Sequence, residues 1–141
     1  MRTRPLIDVA PHRQLVTLPP ETSVRRACER MREARVSAMV VADGDGRLLG
    51  IFTGRDAVAR VLAEGRDATA TSISAVMTRD VATLGPRDVA IEALRLMHDG
   101  GFRHVPVVEG GRVLAIVSRS DFRALERARL EEETELFEGL R

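Results

Sequence analysis

Sliding the chain against itself by 66 positions sets Thr17 on Thr83, Leu18 on Leu84, Pro20 on Pro86, Ala27 on Ala93, Met31 on Met97 and Val41 on Val107. One residue drops out at the Gly110-Gly111 turn. From there an offset of 65 sets Arg47 on Arg112, Leu49 on Leu114, Ile51 on Ile116 and Asp56 on Asp121. A match that runs in one order through apolar stretches and turns marks a duplicated structural unit, and a repeat constrains architecture before any short motif does.

In the first copy, Leu15 to Leu18 reads as a short extended segment stopped by Pro19-Pro20. From Ser23 to Ala34 the apolar residues Val24, Ala27, Cys28, Met31 and Ala34 recur at the spacing of one buried helical face, with Thr22 and Ser23 supplying N-cap oxygens. Val36–Ala42 and Arg47–Thr53 read as a hairpin around the turn Asp43-Gly44-Asp45-Gly46. A second helix is expected from Gly54 to about Ala63, burying Ala57, Val58, Val61 and Leu62. The second copy predicts a strand over Val81–Leu84, a helix over Asp88–His98, strands over Phe102–Val108 and Arg112–Val117, and a helix from about Arg119. The unit is β-α-β-β-α used twice, an α+β chain. The expected organisation is repeat 1 over 8–65, repeat 2 over 66–127 and a charged C-terminal helix or tail over 128–141. A copy of about 60 residues buries too little area to stand alone, so the two sheets are expected to pair and complete the core. Pseudo-twofold symmetry follows, and any cleft between the copies should come in two related versions.

Composition excludes several functions. The 22 basic and 21 acidic side chains nearly cancel to +1, which argues against a nucleic-acid binder with a broad basic surface. Aromatic residues make up 3% of the chain with no Trp or Tyr, which removes the usual base-stacking platforms. The single cysteine, Cys28, excludes an intrachain disulfide and fits a reducing compartment. Apolar runs such as Ser37–Ala42 are strand-length and far short of a membrane span. Met1–Arg13 lacks the apolar stretch of a secretory signal, so the expected setting is a prokaryotic cytoplasm without membrane association.

Catalytic chemistry finds no constellation. Cys28 falls on an apolar helical face, where core packing is the ordinary role of a cysteine. His12, His98 and His104 show no metal-ligand spacing with one another or with Cys28. Asp43-Gly44-Asp45-Gly46 starts like a calcium loop but continues with Arg47 and Leu48 where a ligand and a glycine belong, and with Gly54 at the terminal glutamate. Neither a phosphate-binding Gly-Lys-Ser/Thr nor a Gly-x-Ser-x-Gly elbow occurs.

What recurs is a polar pair at the strand-to-helix junction of both copies: Thr53-Gly-Arg-Asp56 and Ser118-Arg-Ser-Asp121. One reading is a capping box, the hydroxyl accepting from early helical N–H groups while the acid reaches back. The other is a nucleotide site. A helix start offers free N–H donors and a positive field to phosphate, and an ionised Asp can accept from both hydroxyls of a ribose. The two readings are compatible.

With Thr17, Val24, Ala27, Met31, Val36-Ser-Ala-Met-Val-Val and Gly50-Ile-Phe-Thr53-Gly-Arg-Asp56, the first copy resembles a CBS domain, the module named for cystathionine β-synthase. Phe102-Arg-His-Val-Pro-Val-Val108 and Ile116-Val-Ser118-Arg-Ser-Asp121 make the second copy similar to another, so the pair resembles a Bateman module over Leu15 to about Leu125. The resemblance implies a non-catalytic regulatory module that needs no cofactor. It would bind an adenosine-containing ligand (AMP, ADP, ATP or S-adenosylmethionine) between the copies and signal occupancy to a regulated partner. Carried over residue by residue, one cleft would use Thr53, Arg55 and Asp56 with Met77, Thr78, Val81 and Phe102. Arg103 and His104 would sit there as a phosphate-contacting pair, whose plain alternative is a solvated strand end. The other cleft would use Ser118, Ser120 and Asp121 with Val16 and Val36. The copies differ where Ala115 replaces Gly50, Pro106 replaces Val40, and Ser37-Ala38 replaces the basic pair, so the Asp56 cleft is the expected phosphate site. The resemblance also implies a homodimer through the helical faces, with Ala57, Val58, Val61, Leu62, Phe122 and Leu125 as candidates. Competing expectations are an interaction module with empty clefts and a weak nucleic-acid binder. The stretch from Glu126, with Leu130 and Leu136-Phe137 sparse among charges, reads as a solvated helix extension or a grip on a second subunit.

Overall fold

The computed structural model describes residues 4–9 and 15–123 and, beyond them, Glu126, Ala128, Glu131, Glu132, Glu135 and Leu136, which are helical. His12, Leu125, Leu130 and Phe137 lie outside the described residues. The elements are α1 (Leu6–Val9), β1 (Thr17–Leu18), α2 (Val24–Ala34), β2 (Ala38–Ala42), β3 (Leu48–Thr53), α3 (Gly54–Asp56, running on as a π-helical stretch Ala57–Leu62), a 3-10 turn Ile73–Ala75, α4 (Ala90–Gly100), β4 (His104–Glu109), β5 (Arg112–Ser118) and a 3-10 turn Arg119–Asp121.

The register reproduces the sequence offsets residue by residue. β1 pairs parallel to β2 with Leu18 opposite Val41, and the image of that pair, Leu84 opposite Val107, is an isolated parallel bridge. β2 and β3 pair antiparallel from Ala38–Thr53 to Val41–Gly50, then slip so that Ala42 faces Leu48; β4 and β5 pair from His104–Ser118 to Val107–Ala115, then slip so that Val108 faces Val113. Even the bulged residue repeats, as Leu49 and Leu114. The sheets meet at an antiparallel bridge between Arg47 and Arg112, each the other's image, which puts the pseudo-twofold axis there.

Three expected elements come out differently. The strand over Val81–Leu84 shrinks to the bridge at Leu84, because Val40 donates to the Val16 carbonyl at 3.0 Å whereas its image Pro106 has no N–H to donate. The helix from Gly54 widens after Asp56 into i to i+5 bonding, as in Ala63 N–H to the Val58 carbonyl at 2.9 Å. Only Val61 on it is buried and Ala57 partly so; Val58 and Leu62 stand 59% and 73% exposed, since a single face of the run meets the sheet. The helix expected from Arg119 stops after one 3-10 turn, where Phe122 turns extended (φ −91°, ψ 145°) to drop its ring into the core.

Each repeat has its own core, and the segment that opens each repeat seals the core of the other. Leu6 and Val9 pack with Ala90, Leu94, Met97, Val105, Val117 and Phe122 of repeat 2. Ile73, Val76 and Met77 pack with Val24, Ala27, Met31, Met39 and Phe52 of repeat 1. The docking bonds are images too: Leu6 N–H donates to the Asp88 carbonyl at 2.7 Å and Ile73 N–H to the Thr22 carbonyl at 2.8 Å. The arrangement thus corrects the expectation of one core shared between sheets. Burying an aliphatic side chain contributes about 1.5–3 kcal/mol, so these four-to-six-residue segments matter to both halves. A bidentate ion pair closes the exchange, Arg4 Nη2 to Glu126 Oε1 at 2.7 Å and Nε to Oε2 at 3.2 Å.

Candidate functional site

The strand-to-helix junctions carry the expected capping geometry. Thr53 N–H and Oγ1 both donate to Asp56 Oδ2, at 3.0 and 3.1 Å, and Asp56 N–H donates to Thr53 Oγ1 at 3.2 Å. Ser118 N–H donates to Asp121 Oδ2 at 2.7 Å and Ser118 Oγ at 3.2 Å. Gly54 N–H is held by the Ser37 carbonyl at 2.9 Å and its image Arg119 N–H by the Arg103 carbonyl at 3.0 Å, so each junction is anchored to the other strand of its hairpin.

Two clefts open beside these junctions. The first, of about 670 Å³, lies between the repeats. Of the residues expected there, Thr53, Arg55, Asp56, Thr78, Val81, Phe102, Arg103 and His104 line it. Met77 does not: it is buried in the repeat 1 core, its sulfur against Gly50, where an added Cβ would lie 2.7 Å from both that sulfur and the Thr78 carbonyl. The backbone explains the crowding, because Ile51 and Thr78 exchange N–H to carbonyl bonds at 2.9 Å and bring the chain directly over β3. Ser118 and Ser120, expected in the other cleft, line both.

The second cleft, of about 500 Å³, is lined by Val16, Val36, Ser118 and Ser120 as expected, while Asp121 is outside the lining of either cleft. Leu15, Arg35, Ser37 and Ala38 join it; they are the images of Val81, Gly101, Arg103 and His104, so carrying the first cleft across the repeat offset finds them. Ser37 and His104 form a wall common to the two clefts, Oγ to Nε2 at 3.3 Å.

Charge distinguishes the clefts. Arg55, Arg103 and Arg119 line the first, and none of the three guanidiniums has a hydrogen-bonding or ion-pairing partner among the described residues. Asp80 and Asp56 are the acids in its wall. Asp56 Oδ1 faces Arg60 Nε at 3.7 Å, and Arg60 Nη1 donates to the Val76 and Met77 carbonyls at 3.1 and 3.0 Å. Arg60 thereby ties the cleft's carboxylate to the exchanged segment, a role no local sequence signal announces. Elsewhere the chemistry is quiet. Burial pushes the Cys28 thiol up, away from its reactive thiolate form. Among the described residues no three His, Cys, Asp or Glu side chains gather as a metal site, and no helix is long and apolar enough to cross a membrane.

Comparison with known proteins bears on this geometry. The family model described as CBS domain matches residues 6–63 and 73–127, each match opening on one of the exchanged segments. The chain is 43% identical over 102 residues to the CBS domain-containing protein CBSCBSPB3 of Arabidopsis thaliana, covering 72% of this chain and 18% of that protein. It is 30% identical to an uncharacterised protein of Methanopyrus kandleri over 98% of this chain and 72% of the other. The chain thus spans under a fifth of the plant relative and most of the archaeal one. Among solved structures, the CBS-domain containing protein ATU1752 from Agrobacterium tumefaciens superposes with a TM-score of 0.76 at 34% identity, over 89% of this chain and 99% of that one. A CBS domain protein of Pyrobaculum aerophilum, complexed with AMP, shares the fold with a TM-score of 0.81 at 21% identity, over 92% and 99% of the two chains.

Proposed function

The chain belongs to the CBS-domain family, and from that premise we propose that it is a regulatory module without catalysis of its own, binding an adenine nucleotide in the Asp56 cleft and passing occupancy to a partner protein. One observation carries the reading: three guanidiniums without a partner among the described residues, Arg55, Arg103 and Arg119, line with His104 a cleft between the repeats at the start of α3. Unneutralised arginines in one concave wall suit a phosphate dianion, which each can meet with paired N–H donors. The ribose diol falls to the Asp56 carboxylate and the purine to the apolar side around Ile51, Val81 and Phe102. AMP, the ligand of the Pyrobaculum protein, is the first candidate; ADP, ATP and S-adenosylmethionine follow.

Binding to the folded state alone stabilises it by about 2.7 kcal/mol at a hundredfold excess over Kd. A thermal-shift series with AMP, ADP, ATP and S-adenosylmethionine should therefore raise Tm by several degrees for at least one phosphate-bearing ligand. No shift with any member of the series, confirmed by calorimetric titration, would leave an interaction module with empty clefts as the better reading. The exposed Val58 and Leu62 support a homodimer through the α3 face, the surface by which ligand occupancy would reach a second chain.

A further inference from the structure

Arg60 stands behind the first cleft and touches two of its walls. Its Nε faces Asp56 Oδ1 at 3.7 Å, an ion pair too long for a hydrogen bond. The guanidinium therefore steers the carboxylate by charge while leaving the lone pairs of Oδ1 to another donor. Its Nη1 donates to the Val76 and Met77 carbonyls at 3.1 and 3.0 Å. The next residue, Thr78, is tied to β3 by its exchange of bonds with Ile51 at 2.9 Å, and it lines the same cleft as Asp56. One planar fork thus spans two walls that come from different parts of the chain, while Arg60 is itself outside the lining.

Two further observations separate this arrangement from ordinary surface pairing. The Arg60 side chain is 48% exposed, so the ion pair alone adds little to stability. The backbone beneath it, Ala57–Leu62, winds as a π-helix, a form that is rare overall and frequent at functional sites. The second copy has no arginine at the corresponding place: the repeat offset carries Arg60 onto Leu125, and Asp121, the image of Asp56, lines neither cleft.

Resting on the nucleotide reading above, we infer that Arg60 is a positioning residue of the first cleft, holding the Asp56 carboxylate and the 76–78 segment at one separation so that Oδ1 meets the ribose diol. It acts through Asp56 and touches no ligand. A carboxylate without this support keeps its cap to Thr53 and loses its aim at the sugar, because a binding group is only as precise as the contacts that hold it.

Calorimetric titration of the full chain with AMP and with 2′,3′-dideoxy-AMP tests the inference, since the two differ only in the diol. The parent should favour AMP by about 10- to 150-fold, the worth of a charge-assisted hydrogen bond. In Arg60→Ala the preference should fall to about threefold or less, through weaker AMP binding and nearly unchanged binding of the dideoxy nucleotide. Arg60→Lys keeps the charge but replaces the fork by a single ammonium. It should lose at least about threefold of the preference, and it decides the matter if thermal unfolding shows that Arg60→Ala does not fold. On an Asp56→Ala background, Arg60→Ala should change the preference no further, as expected of residues acting through one group. A folded variant that keeps the parent's preference, equal weakening of both nucleotides, or a further change on the Asp56→Ala background overturns the inference and leaves the nucleotide reading standing. So does a parent that binds both nucleotides equally well. A parent that binds neither overturns the nucleotide reading, and the inference falls with it.

Discussion

Through Oδ2 the Asp56 carboxylate accepts from the backbone and hydroxyl of Thr53, while among the described residues Oδ1 faces only Arg60, at 3.7 Å. One oxygen caps the helix and the other remains available to a ribose. Asp56→Ala should therefore weaken AMP binding by about 10- to 150-fold, the loss of one charge-assisted hydrogen bond, and lower stability by about 0.5–2 kcal/mol, as cap losses do. Asp56→Asn keeps one acceptor for the cap, so it should recover most of the stability and little of the affinity. A variant pair that loses stability alone, with AMP titrations unchanged, would reduce Asp56 to its capping role. A second carboxylate sets a pH dependence. Burial pushes Glu126 up, but hydrogen bonds from the Arg4 side chain and the Arg123 N–H, with the charge of Arg4, outweigh it and hold the carboxyl below its usual range. With the folded value below the unfolded one, this contribution is present above the unfolded value and lost as pH falls through the folded one. Acid unfolding curves of the parent and Glu126→Gln should converge once pH falls below the folded-state value and separate at neutral pH, the variant being about 1–3 kcal/mol less stable there. Equal stability at pH 7 would show that the Arg4–Glu126 pair contributes nothing net.

At the scale of elements the exchanged segments decide how the halves cohere. Leu6 and Ile73 are fully buried in the core of the opposite half, each on a segment of a few residues with little helix of its own. Leu6→Ala should cost about 2–5 kcal/mol, the range for buried Leu truncations, and should loosen repeat 2, which Leu6 touches, before repeat 1. Hydrogen exchange that slows or speeds uniformly in both halves would contradict that. Gly50 permits the close crossing of Met77 and Thr78 over β3, where a methyl group would lie 2.7 Å from a backbone oxygen. Gly50→Ala should therefore displace the 77–78 segment, destabilise the fold by about 1–3 kcal/mol in the manner of overpacking, and weaken AMP binding through Thr78. Its image Ala115 already bears that methyl, and Ala115→Gly should leave the AMP titration unaltered.

For the whole molecule the question is where the exposed apolar residues of α3 go. Val58 and Leu62 present 59% and 73% of their surface on the outer side of repeat 1, while Phe122, expected to share in a dimer surface, is buried in its own core. A dimer through the α3 face should be disrupted by Leu62→Asp, which light scattering would register as a halving of mass at micromolar concentration without loss of the fold. A parent chain already monomeric at high micromolar concentration, with and without AMP, would count decisively against the dimer. The near-neutral charge of +1 offers no long-range attraction to nucleic acid in place of such a partner.

The repeat offset by itself determined that the two copies share one hairpin plan and the pairing of Thr53 with Asp56 and Ser118 with Asp121, because those depend on neighbours in one hairpin or one turn. Most of the first cleft's lining was legible through the resemblance to the CBS family, which carried Arg55, Arg103 and His104 onto it position by position. What the sequence could not reveal was set by contacts between distant segments. Leu6 and Ile73 look like stray apolar residues until each docks on the far helix, and Met77 leaves the cleft because β3 has no side chain at Gly50 to keep it away. Arg60 reaches carbonyls 16 and 17 residues ahead. Phe122 ends a helix that its neighbours would have continued, because burying its ring outweighs the bonds of one more turn. Such outcomes turn on packing between parts of the chain that no local pattern relates, and only the folded molecule brings those parts together.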